Sequence, residues 1–128
     1  MIKPTKARVL WYHQALIDDY GGSHGIRDEG LLESAISMPF MTFDGIALYP
    51  SLEEKAARLC YGLVKNHPFV DGNKRIGAVC MEAFLYSNGI KLQYSHKEEL
   101  SDCILAVVEN KMDIDDLVLW IQSHTKAE

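Results

Sequence analysis

Apolar residues recur at helical spacing along most of this chain. Between residues 6 and 19, Val9, Leu10, His13, Leu16 and Ile17 fall on one side, and Gly21-Gly22 ends the run. Asp28 is placed to cap a short helix over Leu31, Leu32, Ala35 and Ile36, which must stop before Pro39. Ser51-Leu52-Glu53-Glu54 reads as a capping box. It opens a helix carrying Leu52, Ala56, Leu59, Cys60, Leu63 and Val64 towards His67, and Pro68 breaks it.

The next helix is predicted from near Asn73 to Ser87, with Asn88-Gly89 as its stop. Between Ile76 and Tyr86 its only charged residue is Glu82, so this helix is expected in the buried centre of a bundle. Ile90-Lys91-Leu92-Gln93-Tyr94 alternates like a short strand. Ser95-His96-Lys97-Glu98 reads as a second capping box, leading into Leu100, Ile104, Leu105, Val107 and Val108. Asp113 is expected to cap a last helix with Ile114, Leu117, Val118, Trp120 and Ile121.

One segment departs from the pattern. Residues 38–50 are apolar and aromatic, yet prolines bracket them and Asp44-Gly45 interrupts them. They read as a loop or distorted hairpin. Two placements stay open: packed over the core, or a short flap beside a phosphate site that a partner chain can use. Phe40, Met41, Phe43 and Ile46 are the candidate partner-binding residues.

A length of 128 residues suits one domain, 1–128, with a core that needs no staples. The formal net charge of −5 argues against a broad grip on nucleic acid or an anionic membrane, while leaving room for a local basic pocket. No apolar run is long enough to span a bilayer, and the N-terminus has no signal-like segment, so a cytoplasmic location is expected. Cys60, Cys80 and Cys103 are odd in number and widely spaced. They read as buried free thiols rather than as metal or redox centres.

The candidate chemistry lies in His67-Pro68-Phe69-Val70-Asp71-Gly72-Asn73-Lys74-Arg75, which runs directly into the apolar helix. Backbone amides at a helix start, a turn able to form a nest and two adjacent cations make an anion site. His67 is a candidate base for a hydroxyl nucleophile, or alternatively a cap for the preceding helix. Phe69 reads as a core anchor. Asp71 is either a Mg²⁺ ligand beside phosphates or the N-cap of the next helix. Gly72 permits positive φ and close approach of the backbone to a phosphate, and the Asn73 amide is able to orient one. Lys74 and Arg75 offer a point charge and a planar fork to phosphoryl oxygens. As a merely solvated pair they would oppose the positive helix end, so an anion is expected between them. The spacing is neither a Walker A loop nor a dinucleotide fingerprint, and it is poor for zinc.

These residues resemble the signature of the Fic/Doc superfamily, in its Doc ("death on curing") branch. The wider pattern reads His-x-Phe-x-Asp/Glu-Gly-Asn-Gly-Arg-x-x-Arg. Here Lys74 stands for the second glycine and Ala78 for the second arginine, as in the Doc branch. Tyr20-Gly21-Gly22, Gly25-Ile26-Arg27-Asp28 and the six-helix layout are similar too.

The resemblance implies an all-α six-helix bundle with the motif between two central helices. It also implies a toxin of a toxin–antitoxin pair with a Phd-like antitoxin. Such a toxin is a protein kinase that moves the γ-phosphate of ATP, with Mg²⁺, to a threonine of elongation factor Tu and stops translation. His67 would then be the base, Asp71 the metal-holding or proton-handling carboxylate, and Gly72, Asn73, Lys74 and Arg75 the phosphate cradle. His13 is read as structural. A lysine at position 74 fills the room that a glycine leaves for an α-phosphate, so the nucleotide is expected to lie with its γ-phosphate towards the hydroxyl. Two alternatives remain: nucleotidyl transfer of the Fic type, and a catalytically silent module that docks a phosphate or a partner.

Overall fold

The computed structural model describes residues 1–127. It contains six α-helices: α1 (Lys6–Tyr20), α2 (Glu29–Ser37), α3 (Leu52–Asn66), α4 (Asn73–Ser87), α5 (Glu98–Val108) and α6 (Ile114–Ser123). Four short strands form two separate pairs, a hairpin and a pair that joins distant segments. β1 (Thr42–Phe43) pairs antiparallel with β2 (Ile46–Ala47), and β3 (Ile90–Leu92) pairs antiparallel with β4 (Thr125–Ala127). The fold is all-α with these strands as trimmings. None of its helices is long and apolar enough to cross a membrane.

Local chemistry sets most helix ends. Thr5, Asp28, Ser51 and Asp113 each accept a first-turn backbone N–H on a side-chain oxygen. Ser51 with Glu54 forms the expected capping box, and Asp113 forms another with Asp116. The box expected at Ser95 does not form. Gln93 N–H bonds the His124 carbonyl, and the Tyr94 hydroxyl donates to Glu82 Oε2 at 3.2 Å. These ties hold the chain out of helical register until Glu98, so Lys97 occupies the cap without a side-chain bond.

α3 and α4 form the centre. α3 packs against α2, α4, α5 and α6, and buries Leu59, Cys60, Leu63 and Val64. α4 buries Ile76, Cys80, Met81, Phe84 and Leu85, while Tyr86 near its end stays exposed. A Cβ at Gly77 would lie 2.6 Å from Val64 Cγ2 and 3.3 Å from the Cys60 carbonyl oxygen. Only glycine lets the two helices approach so closely just beyond the motif. Cys60, Cys80 and Cys103 are buried and free, and burial raises all three thiols.

Residues 38–50 begin packed over the core and end in an exposed hairpin, which is not the expected flap beside the phosphate site. Met38–Phe40 form a 3₁₀ turn against α3. Phe40 meets Phe84 edge-on, with ring centroids 5.6 Å apart, so it belongs with the core rather than with an open flap. Asp44 and Gly45 both take positive φ, as a two-residue hairpin turn requires. Phe43 is 76% exposed and Ile46 72%, and Met41 and Leu48 are exposed too. None of residues 38–50 lines the cleft at the motif.

Candidate active site

The segment between α3 and α4 is tied down from three sides. At its start, His67 is left-handed (φ 51°, ψ 53°) and ends α3. Arg27 straps this end: its Nε donates to the His67 carbonyl at 2.6 Å and its Nη2 to the Asn66 carbonyl at 2.8 Å. The backbone N–H groups of Arg27 and Asp28 donate to the Pro68 carbonyl, and Val70 N–H donates to that of Gly25. The exposed His67 imidazole has no hydrogen-bond partner among the described residues and lines the cleft. Its backbone thus does the capping, and its ring stays available for chemistry.

Phe69 is fully buried, as its anchoring role predicts. The His13 ring stacks on it, and His13 Nε2 lies 2.7 Å from the Asp71 carbonyl oxygen. Because that oxygen only accepts, the imidazole proton sits on Nε2. Asn73 is buried, and both ends of its amide are taken by Phe69: Oδ1 accepts from its N–H at 2.9 Å and Nδ2 donates to its carbonyl at 3.0 Å. This differs from the amide expected to face a phosphate. Asn73 shapes the loop instead.

Asp71 is not the N-cap of α4. Its Oδ1 accepts from Gly72 N–H at 2.9 Å and its Oδ2 from Ser23 N–H at 3.2 Å, so the carboxylate is fixed at the surface. Gly72 is the cap, left-handed at φ 79°. A Cβ there would come within 3.2 Å of Ile17 Cδ1 and 3.5 Å of His13 Nε2. The first helical bond runs from Ile76 N–H to the Gly72 carbonyl. Among the described residues, the N–H groups of Asn73, Lys74 and Arg75 therefore have no acceptor.

Lys74 and Arg75 are exposed and form no ion pair among the described residues. They border a cleft of about 850 Å³ together with His67, Asp71, Gly72, Asn73 and Ala78. Its far wall is α5 with its cap Lys97, through Lys97, Ser101, Asp102, Leu105 and Val108. Sequence reasoning missed this wall. Lys97 looked like part of a capping box, and nothing local to α5 marks it as facing the motif. Arg27 stands out in the sequence only through the family resemblance, since a clamp between residues forty apart has no local signature.

A family model described as the Fic/DOC family matches residues 3–85, from before α1 to near the end of α4. The chain belongs to the Fic/Doc family. Within that family it falls in the Doc branch. It is 36% identical over 109 residues to the protein named Toxin Doc of Mycolicibacterium smegmatis (strain ATCC 700084 / mc(2)155), covering 84% of this chain and 84% of that protein. The Fic/Doc match ends before α5, so one wall of this Fic/Doc cleft lies outside the matched residues. Ala78, in place of the second arginine of the wider Fic/Doc pattern, leaves that wall facing a small apolar side chain.

Proposed function

We propose that this chain is a Doc-type toxin of a toxin–antitoxin pair, acting as a protein kinase. It would transfer the γ-phosphate of ATP to a hydroxyl of a translation factor, expected to be a threonine of elongation factor Tu, and stop translation in the cytoplasm. The name of the mycobacterial relative, Toxin Doc, supports the toxin role and with it a cognate antitoxin, which we expect to be Phd-like. The observation that carries the kinase reading is Lys74. Among the described residues it is an exposed cation without an ion-pair partner, beside three helix-start amides without an acceptor, at the position where the nucleotidyl-transferring pattern has glycine.

The cleft suits a nucleoside triphosphate. Its volume falls within the ordinary range for small-molecule sites, and its cationic floor supplies fixed positive charge. Asp71 suits Mg²⁺ in the usual way, as one carboxylate alongside phosphate oxygens and water. When bound, the ion would neutralise phosphate charge.

This chain's own residues do the rest. His67 takes the proton of the target hydroxyl as its oxygen bonds to the γ-phosphorus. The bond from that phosphorus to the bridging oxygen breaks, releasing ADP. The amides of Asn73, Lys74 and Arg75, with the two side-chain cations, stabilise charge on the transferring oxygens. Positioning and electrostatics suffice for phosphoryl transfer, so no covalent enzyme intermediate is required. His67→Ala tests the assignment. The fold should survive, because the imidazole is exposed, and transfer should fall by about 10²–10⁴. Full transfer by His67→Ala would refute the role of the base.

A further inference from the structure

The end of α1 and the segment leaving it touch two charged residues of the motif, Asp71 and Arg75. Ser23 N–H holds Asp71, as described above. Tyr20, the last residue of α1, places its ring centroid 4.4 Å from the guanidinium carbon of Arg75. The Tyr20 side chain is 65% exposed and forms no part of the core. Its position is unexplained by packing.

Arg75 stands in the first turn of α4, where the helix dipole disfavours a cation. A carboxylate partner would offset that cost, but it would occupy the guanidinium fork with its own oxygens. An aromatic face works differently. It attracts the cation through its quadrupole and accepts none of the five N–H groups at the guanidinium edge. The fork is held in place and remains free.

We infer that Tyr20 is a positioning residue for Arg75: its ring holds the guanidinium at the cleft rim with its N–H edge free for the phosphoryl oxygens of a nucleoside triphosphate. The inference rests on the reading of Arg75 as a phosphate ligand. It brings the end of α1, a helix that already braces the loop through His13, to the rim of a cleft lined by the motif and α5.

The test is a titration of the full chain with a non-hydrolysable ATP analogue and Mg²⁺ at constant ionic strength. It compares the unaltered protein with Tyr20→Phe, Tyr20→Leu, Arg75→Ala and the double variant Tyr20→Leu/Arg75→Ala. Tyr20→Leu should bind about two- to fivefold more weakly, as loss of an exposed cation–π contact implies. Tyr20→Phe should bind like the unaltered chain, because the ring rather than the hydroxyl is used. The double variant should bind no more weakly than Arg75→Ala alone, since Tyr20 acts only through Arg75. Unchanged binding by Tyr20→Leu while Arg75→Ala binds weakly would overturn the role of Tyr20 alone. A further loss in the double variant would do the same. Unchanged binding by Arg75→Ala would overturn the phosphate-ligand reading of Arg75, and this inference with it.

Discussion

The imidazole of His13 lies flat on the ring of Phe69, with centroids 3.7 Å apart and 9° between the planes, and its edge donates to the Asp71 carbonyl. One buried side chain of α1 thus holds both the apolar anchor and the backbone of Asp71, the proposed Mg²⁺-holding carboxylate. His13→Phe keeps the stacking and removes the donor. It should cost about 1–2 kcal/mol, because a shielded carbonyl loses its partner. Transfer should also fall, through looser placement of Asp71. Denaturant midpoints and transfer rates check both, and an unchanged midpoint would show that the bond carries no weight.

Gly22 leaves room for the Asp71 carboxylate. A Cβ at Gly22 would sit 2.6 Å from Oδ2, and the residue holds φ at +111°. Gly22→Ala should therefore displace the carboxylate and strain the backbone, costing about 1–3 kcal/mol. The loss of transfer should exceed what the lowered stability explains. Normal transfer by a folded Gly22→Ala protein would mean that the position of Asp71 is unimportant.

How much of this was readable beforehand follows from range. Caps at Asp28, Ser51 and Asp113 are decided within four residues, so they were predictable from side chains alone. The left-handed Gly72 and the buried Phe69 also follow from local motif chemistry. The role of Asn73 does not, because its amide looks equally able to serve a ligand or its own loop until Phe69 is seen beside it. The α5 wall, the Arg27 clamp and the pairing of β3 with β4 join distant segments, and no local pattern encodes them. Ser95 failed as a cap for the same reason: long-range bonds at Gln93 and Tyr94 outweighed a favourable local sequence.

The hairpin offers a separable test of partner binding. Phe43→Ser with Ile46→Ser should leave stability nearly unchanged, since both side chains are largely exposed. Co-purification with the antitoxin should weaken, because an exposed apolar patch of this kind marks a docking surface. Phe40→Ser should instead cost about 1–3 kcal/mol through its lost contact with Phe84. Undiminished co-purification by the double variant would place the antitoxin elsewhere.

The thiols predict an alkaline limit. Burial pushes Cys80 and Cys103 from an ordinary 9.0 up to about 12, and Cys60 higher still. In the unfolded chain they ionise first, so the folded state binds more protons. Their contribution is complete below the unfolded value and is lost as pH rises towards the folded one. Denaturant midpoints should fall as pH rises from about 9 towards about 12, and the slope should flatten when the three cysteines are replaced by alanine. An identical slope in that variant would assign the effect to other groups.

In the proposed kinase, Lys74 and its neighbours present the γ-phosphate, rather than the nucleotide, to a protein hydroxyl. The purified chain, incubated with a cell extract and either γ-labelled or α-labelled ATP, should place only the γ-label on protein, and mass spectrometry of the modified target should find a phosphate. His67→Ala should transfer the γ-label about 10²–10⁴-fold more slowly and the α-label not at all. An α-label on protein, or an adenylate in the mass spectrum, made by the unaltered chain would contradict the kinase account.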